Sequence, residues 1–171
     1  MKITKPIKPV ILPQDTINII NESIAFEYKS HLFWNAAANW CASVGYNKAA
    51  AYYAKESMSE LAHVKKHQDF LIGWNVVPTI PQVPMSYNFE SLPDTINQSY
   101  SLMLDIFNHY VKKSQPLFNS DLSSFDFLQE FRLIQIEALS VYSSLLSGLE
   151  LINIDNKLDI LFFEDQYFEE N

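Results

Sequence analysis

Between Glu56 and His67 the ionisable residues Glu56, Glu60, His63 and His67 recur in steps of three and four. On an α-helix that spacing stacks side chains along one face. The same stripe holds Tyr53, Phe70 and Trp74, so carboxylates and imidazoles stand where a buried helix is normally apolar. Upstream, Ile17, Ile20, Ile24, His31, Trp34, Ala38 and Cys41 also step by three and four, and Glu27 fills the one position this series misses. If the two segments turn back near residue 45 or 46, positions whose numbers sum to about 91 stand level in the antiparallel pair. Glu27 then faces position 64 and His31 faces Glu60, so Glu27, His31, Glu60 and His63 converge on one slab of the interior. Acids and imidazoles at that density are costly to bury unless a cation sits among them, and a divalent or trivalent metal is the usual answer. Glu56 and His67, at the edges of the stripe, are further candidates. The ordinary account is that each histidine is held by protein hydrogen bonds and each glutamate by a lysine such as Lys55 or Lys66.

Composition agrees with a cation as partner. The chain has 171 residues and a formal charge of -8, which speaks against a grip on phosphate backbones or anionic lipid, since both need clustered Lys and Arg. No nucleic acid and no membrane are expected as partners, and no apolar run approaches the roughly 20 residues that span a bilayer. With 48% apolar and 14% aromatic residues, the length suits one domain with a substantial core. The single cysteine, Cys41, has no internal partner, and Met1–Pro6 lacks the unbroken apolar core of a signal peptide. A cytoplasmic protein is expected. There is no glycine-rich phosphate loop, nucleophile elbow or paired CxxC, which removes several enzyme classes.

Only three glycines, Gly45, Gly73 and Gly148, punctuate the chain. Long helices use few glycines, whereas sheets turn on many. After an N-terminal arm over 1–13, marked by Pro6, Pro9 and Pro13, the apolar period predicts a helix from about Gln14 to Ser43, stopped at Gly45. A second is predicted from about Lys48 to Trp74. Pro78, Pro81 and Pro84 then forbid helix and impose extended backbone. About 17 extended residues reach ~56 Å, more than the ~40 Å of a helix of about 27 residues, so the segment can return along a whole bundle. A third helix is predicted at about Leu92 to Ser114, with Ile96, Ser99, Met103, Ile106 and Tyr110 inward. A fourth runs at about Ser124 to Ile152, with Leu128, Phe131, Gln135, Ala138, Tyr142, Leu145 and Leu149 inward. A short last helix is placed in the segment 153–171, at about Lys157 to Phe168. The expectation is a single all-α domain over 1–171: a four-helix bundle at 14–152 with a long crossover between helices two and three and a short fifth helix.

The ordered residues resemble the ferritin family, specifically its bacterial non-haem members. The likeness is carried by Glu27 with Trp40-Cys41 downstream, by Ala49-Ala50-Ala51-Tyr52-Tyr53, and by Glu60-Leu61-Ala62-His63 as the Glu-x-x-His motif. Phe89-Glu90-Ser91-Leu92, Phe127-Leu128-Gln129 and Leu161-Phe162-Phe163-Glu164-Asp165 continue it. The resemblance implies a ferritin-like bundle that stores iron, with oxygen oxidising Fe(II) at a ferroxidase centre and ferric mineral held in a hollow 24-subunit homo-oligomeric cage. A cage mixed with another ferritin subunit is a further arrangement it allows. Carried over by position, Glu27, Glu60 and His63 correspond to the first iron site, with Gln135 as the inward glutamine of helix four.

The second iron site departs from the pattern. Met103 and Ala138 stand where the family has carboxylates, Trp34 replaces its first-helix tyrosine, and Ser59 an acid. A thioether is a poor ligand for hard ferric iron. One expectation is therefore a centre shifted toward helices one and two, with His31 joining Glu27, Glu60 and His63. The alternative is a subunit with little or no ferroxidase activity that serves a structural, nucleation or other metal-binding role. No haem is expected, because Leu61 occupies the position of the haem-ligating methionine.

Overall fold

The computed structural model describes residues 12–168. The arm expected over 1–13 therefore lies, except for Leu12 and Pro13, outside the described residues. Helix α1 runs Gln14–Val44, α2 Asn47–Gly73, α3 Leu92–Ser114, α4 Leu117–Ser120, α5 Leu122–Leu149 and α6 Lys157–Tyr167. α1 packs mainly on α2, and α3 on α5. The four long helices form the bundle, with α4 a single inserted turn.

The α1–α2 turn forms where the sequence places its first bundle glycine. Gly45 adopts φ 96°, in the left-handed region. Tyr46 N–H donates to Cys41 O at 2.9 Å and Gly45 N–H to Ala42 O at 3.4 Å, the paired bonds of a Schellman stop. α2 begins at Asn47 and ends at Gly73, a residue earlier at each end than its apolar period predicts. α5 starts at Leu122 rather than Ser124, because the Asp121 carboxylate accepts from Ser124 N–H at 3.1 Å and caps it there. It stops at Leu149 rather than Ile152, where Leu151 N–H bonds back to Gly148 O at 3.1 Å and the chain turns.

After a turn at Trp74 and Asn75, where Asn75 takes φ 63°, the crossover runs without helix or strand to Ser91, and its burial largely alternates. Trp74, Val76, Met85 and Tyr87 are partly buried against the core and Phe89 is buried, while Asn75, Val77, Ser86 and Asn88 are exposed. Period-two burial is what an extended chain lying on a helix surface must show. Thr79 N–H donates to Asn21 Oδ1 at 2.8 Å. Tyr87 and Phe89 meet Phe33 edge-on at 4.7 and 5.5 Å, and Phe89 reaches Trp40 at 6.1 Å. The segment thus climbs α1 from Asn21 to Trp40, about 28 Å of helix, which its prolines and its length both permit.

α6 docks on the α1–α2 end of the same bundle. The Glu164 carboxylate accepts from the backbone N–H of Lys48 at 2.8 Å and of Ala49 at 3.1 Å, quenching open donors at the start of α2. Phe168 packs on Tyr52 and Tyr53 at 5.3 and 5.9 Å. Tyr167 lies so close to α5 that a Cβ on Gly148 would fall 2.5 Å from its ring. Among the described residues, no helix is long and apolar enough to cross a membrane.

Candidate metal centre

Three of the residues the sequence singles out meet in the middle of the bundle. Glu27 of α1 is fully buried, and Glu60 and His63, one turn apart on α2, are nearly so. One donor atom from each lies within 4.8 Å of the other two, forming the only group of at least three acidic, histidine or cysteine side chains among the described residues that could hold a metal. His63 Nδ1 stands 3.0 Å from Glu60 Oε2 and 3.4 Å from Glu27 Oε2. Both Oε2 atoms and the imidazole therefore face one point. Glu27 Oε2 makes no hydrogen bond of good geometry and has the His63 imidazole only at the looser 3.4 Å, so a cation placed there would satisfy a poorly compensated buried oxygen.

The remaining carboxylate oxygens are held by aromatic donors. The Tyr110 phenol of α3 donates to Glu27 Oε1. The Trp34 indole N–H donates to Glu60 Oε1 at 3.4 Å, and Trp34 is itself layered between Tyr53 and Tyr142 at 5.6 and 5.5 Å. Behind Tyr110, His67 Nε2 lies 3.2 Å from the phenol oxygen, and Nδ1 is 2.9 Å from His63 O. A carbonyl only accepts, so Nδ1 carries the hydrogen. Phe131 packs against both the His67 and Tyr110 rings, at 4.1 and 5.6 Å.

The charges follow from burial and contact. Burial raises the Glu60 carboxyl to about 8, and the Glu27 charge and their shared hydrogen bond add to it. For Glu27 burial alone would act the same way, but hydrogen bonds from Glu60, His63 and Tyr110 and the charge of His63 reverse it, so its carboxyl lies below the ordinary value. Burial opposes the His63 cation, yet the hydrogen bonds and charges of both glutamates overcome it and lift the imidazole to about 10. His67 goes the other way, down to about 4, chiefly because it is desolvated. Together these shifts favour charge on Glu27 and His63 and disfavour it on Glu60 and His67.

The other expected site residues divide. His31 does not join the group: it is half-buried, and its Nδ1 lies 2.8 Å from Ser57 Oγ and 2.9 Å from Ser57 O. The level rule places His31 at the right height but not at the right angle. Four residues advance a helix by about 40° past a full turn, whereas the seven-residue step to Trp34 falls only about 20° short of two turns. Trp34 therefore stands above Glu27 and takes the contact with Glu60. Glu56 is half-buried outside the group, its carboxyl raised by burial and then by Glu60. His67 is fully buried, behind the group rather than in it. Gln135 is buried on α5 with Oε1 unpartnered. Met103 is buried on α3, and Ala138 is half-buried on α5.

Two residues escaped the sequence reading. Tyr110 was expected to face inward, but nothing in its spacing couples it to Glu27. His109 is buried, with Nε2 3.0 Å from Ser23 Oγ and its ring stacked on Phe26 at 4.2 Å. Its seven-residue spacing from the buried Leu102 was the available signal.

The family model described as a ferritin-like domain matches residues 17–152. A Haemophilus influenzae protein named as a probable bacterial non-heme ferritin-like protein is 25% identical over 152 residues, 86% of this chain and 90% of that one. The bacterial non-heme ferritin of Escherichia coli is 24% identical over 145 residues, 82% of this chain and 87% of its own length. Among solved structures, an open-pore ferritin from the hyperthermophilic archaeon Archaeoglobus fulgidus shares the fold with a TM-score of 0.86 at 17% identity, over 94% of this chain and 99% of that one. A humanized archaeal ferritin gives 0.86 at 18% identity, over 94% and 98%.

Proposed function

This chain belongs to the ferritin family, and from that premise we propose that it takes up Fe(II) at Glu27, Glu60 and His63, promotes its oxidation by oxygen, and keeps the ferric product in an oligomeric shell. The observation that carries this reading is the buried meeting of two carboxylates and an imidazole, with one carboxylate oxygen left without a well-formed hydrogen bond. Two oxygens and one imidazole nitrogen suit Fe(II), and would also accept Zn(II) or Cu(II). Iron is here the substrate: each ferrous ion gives one electron to dioxygen. The protein's part is to hold the ion in a dry site with Trp34 and Tyr110 fixing the carboxylates. Gln135, with its open Oε1, is the further polar group on α5 that we assign to the centre. The whole chain acts as one ferritin-like domain, in the cytoplasm.

Met103 and Ala138 support a second reading for the rate. With no carboxylate at either position, one ion is well held and a second is not, so oxidation is slow and the subunit contributes mainly storage, structure or mineral nucleation, alone or mixed with a more active subunit. Stopped-flow absorbance after mixing with Fe(II) in air separates the two. A fast early rise supports an efficient paired-iron centre, whereas a slow monotonic rise supports the weak one. Anomalous scattering from crystals soaked in ferrous salt tests the site itself. Density among Glu27, Glu60 and His63 is expected, and density beside Met103 with none at those three would overturn the assignment.

A further inference from the structure

Beyond the assignment of ligands, and resting on it, we propose that Tyr110 is a positioning residue that sets how Glu27 grips the cation, limiting it to one oxygen and so favouring small ions of low coordination number over larger ones that need more oxygens. The geometry behind this is an allocation of lone pairs. Glu27 Oε1 accepts the Tyr110 phenol, while Oε2, without a well-formed hydrogen bond, faces His63. A charge-assisted O–H···O⁻ bond draws on the oxygen a chelating cation would also need. The phenol has no slack to move aside. Phe131 packs against its ring, and the whole residue is buried.

His67 completes the device. With its hydrogen fixed on Nδ1 by His63 O, its Nε2 offers only a lone pair to the phenol oxygen 3.2 Å away. The single phenolic proton thus has two acceptors within reach, and the ionised carboxylate is the stronger. Were a cation to claim both oxygens of Glu27, it would draw charge from Oε1 and weaken that oxygen as an acceptor, shifting the phenolic proton toward the neutral His67 nitrogen. Chelation at Glu27 therefore carries a cost that one-oxygen ligation does not. Glu60 is held less firmly, since its indole donor sits at 3.4 Å, near the outer limit for such a bond. The cation is left with one oxygen from Glu27, a more adaptable Glu60 and His63, an arrangement of few protein donors with positions open to exchangeable ligands.

The test compares the assembled wild-type protein with Tyr110→Phe, using Zn(II) as the small cation and Mn(II) as the larger oxygen-seeking one, both without oxidation chemistry. Wild-type protein is expected to prefer Zn(II), and the variant to narrow that preference about tenfold, mainly by binding Mn(II) more tightly. Infrared difference spectra on metal loading read the grip directly. The splitting between antisymmetric and symmetric carboxylate stretches is wide for one-oxygen ligation and narrow for chelation. A Glu27 band, identified by its loss in Glu27→Gln, should show wide splitting in the wild type, a measurement that needs no folded Tyr110 variant. Binding of both cations with a narrow Glu27 splitting in the wild type, or with an unchanged Zn(II)/Mn(II) ratio in a folded Tyr110→Phe, overturns this role for Tyr110 alone. Failure of Zn(II) to bind the wild type removes the metal centre and this inference together.

Discussion

A cation taken up at Glu27, Glu60 and His63 competes with protons there. The Glu60 carboxyl is raised to about 8 and the His63 imidazole to about 10, so each holds a proton more tightly than the free side chain does. Uptake of a divalent cation near neutral pH should therefore release protons. Affinity should weaken steadily as the pH is lowered. Calorimetry in buffers of different ionisation heat measures the release, and uptake with none would contradict this charge assignment. His109 gives an independent pH dependence. Burial holds its imidazole at about 4, against an ordinary 6.5. A group held below its unfolded value in this way favours the fold in its neutral form. Its stabilisation is complete above 6.5 and is lost as the pH falls from 6.5 through about 4. Thermal melts across that range should show a decline that His109→Gln flattens. Equal slopes in the two proteins would remove His109 as the cause. At this scale the sequence revealed Glu27, Glu60 and His63 because each breaks an apolar series. It misplaced His31 because height along a helix was readable and angle around it was not. The links from Tyr110 to Glu27 and His67 cross three helices, and no local spacing encodes them.

Helices were the most legible elements, since their stripes are long and glycine and proline mark their ends. The crossover was legible for the same reason: three prolines exclude a helix, and the length needed to span the bundle is simple arithmetic. Caps supplied by side chains were harder to see, as at Asp121, where the capping carboxylate rather than the apolar period sets the start of α5. A few apolar residues on α6 would fit either its own bundle or an axis shared between copies, so sequence pattern does not choose its docking. The Glu164 carboxylate on the first amides of α2 ties this helix to its own bundle. Glu164→Ala is expected to lower stability by about 1–2 kcal/mol, the usual loss for a helix cap, in denaturant unfolding. Gly148→Ala should be harmful for a different reason, since its methyl group would force Tyr167 away from α5. Loss of α6 protection in hydrogen exchange would register that displacement, and unchanged protection would show that Tyr167 yields without cost.

On the scale of the molecule, the bundle leaves apolar side chains in water. Leu133, Ile136 and Val141 are exposed along α5, and Leu158, Leu161 and Phe162 on α6. Exposed apolar surface of this extent is characteristic of chains that associate. If a shell forms, sedimentation should show a species many times heavier than the 19.8 kDa chain. Leu133→Lys with Ile136→Lys should shift it toward smaller species while leaving the helical signal intact. A wild-type protein that sediments as a monomer would leave the metal centre standing but end the storage reading.

The carboxylate of Glu164 quiets the start of a helix whose residues were joined more than a hundred positions earlier. As the ribosome extrudes the chain, the first hairpin emerges with those amides bare and with Tyr52 and Tyr53 uncovered. Their cover, Phe168, follows more than a hundred residues later. A chain that stops short of α6 thus leaves the end of the first hairpin open, its amides and its tyrosines facing water.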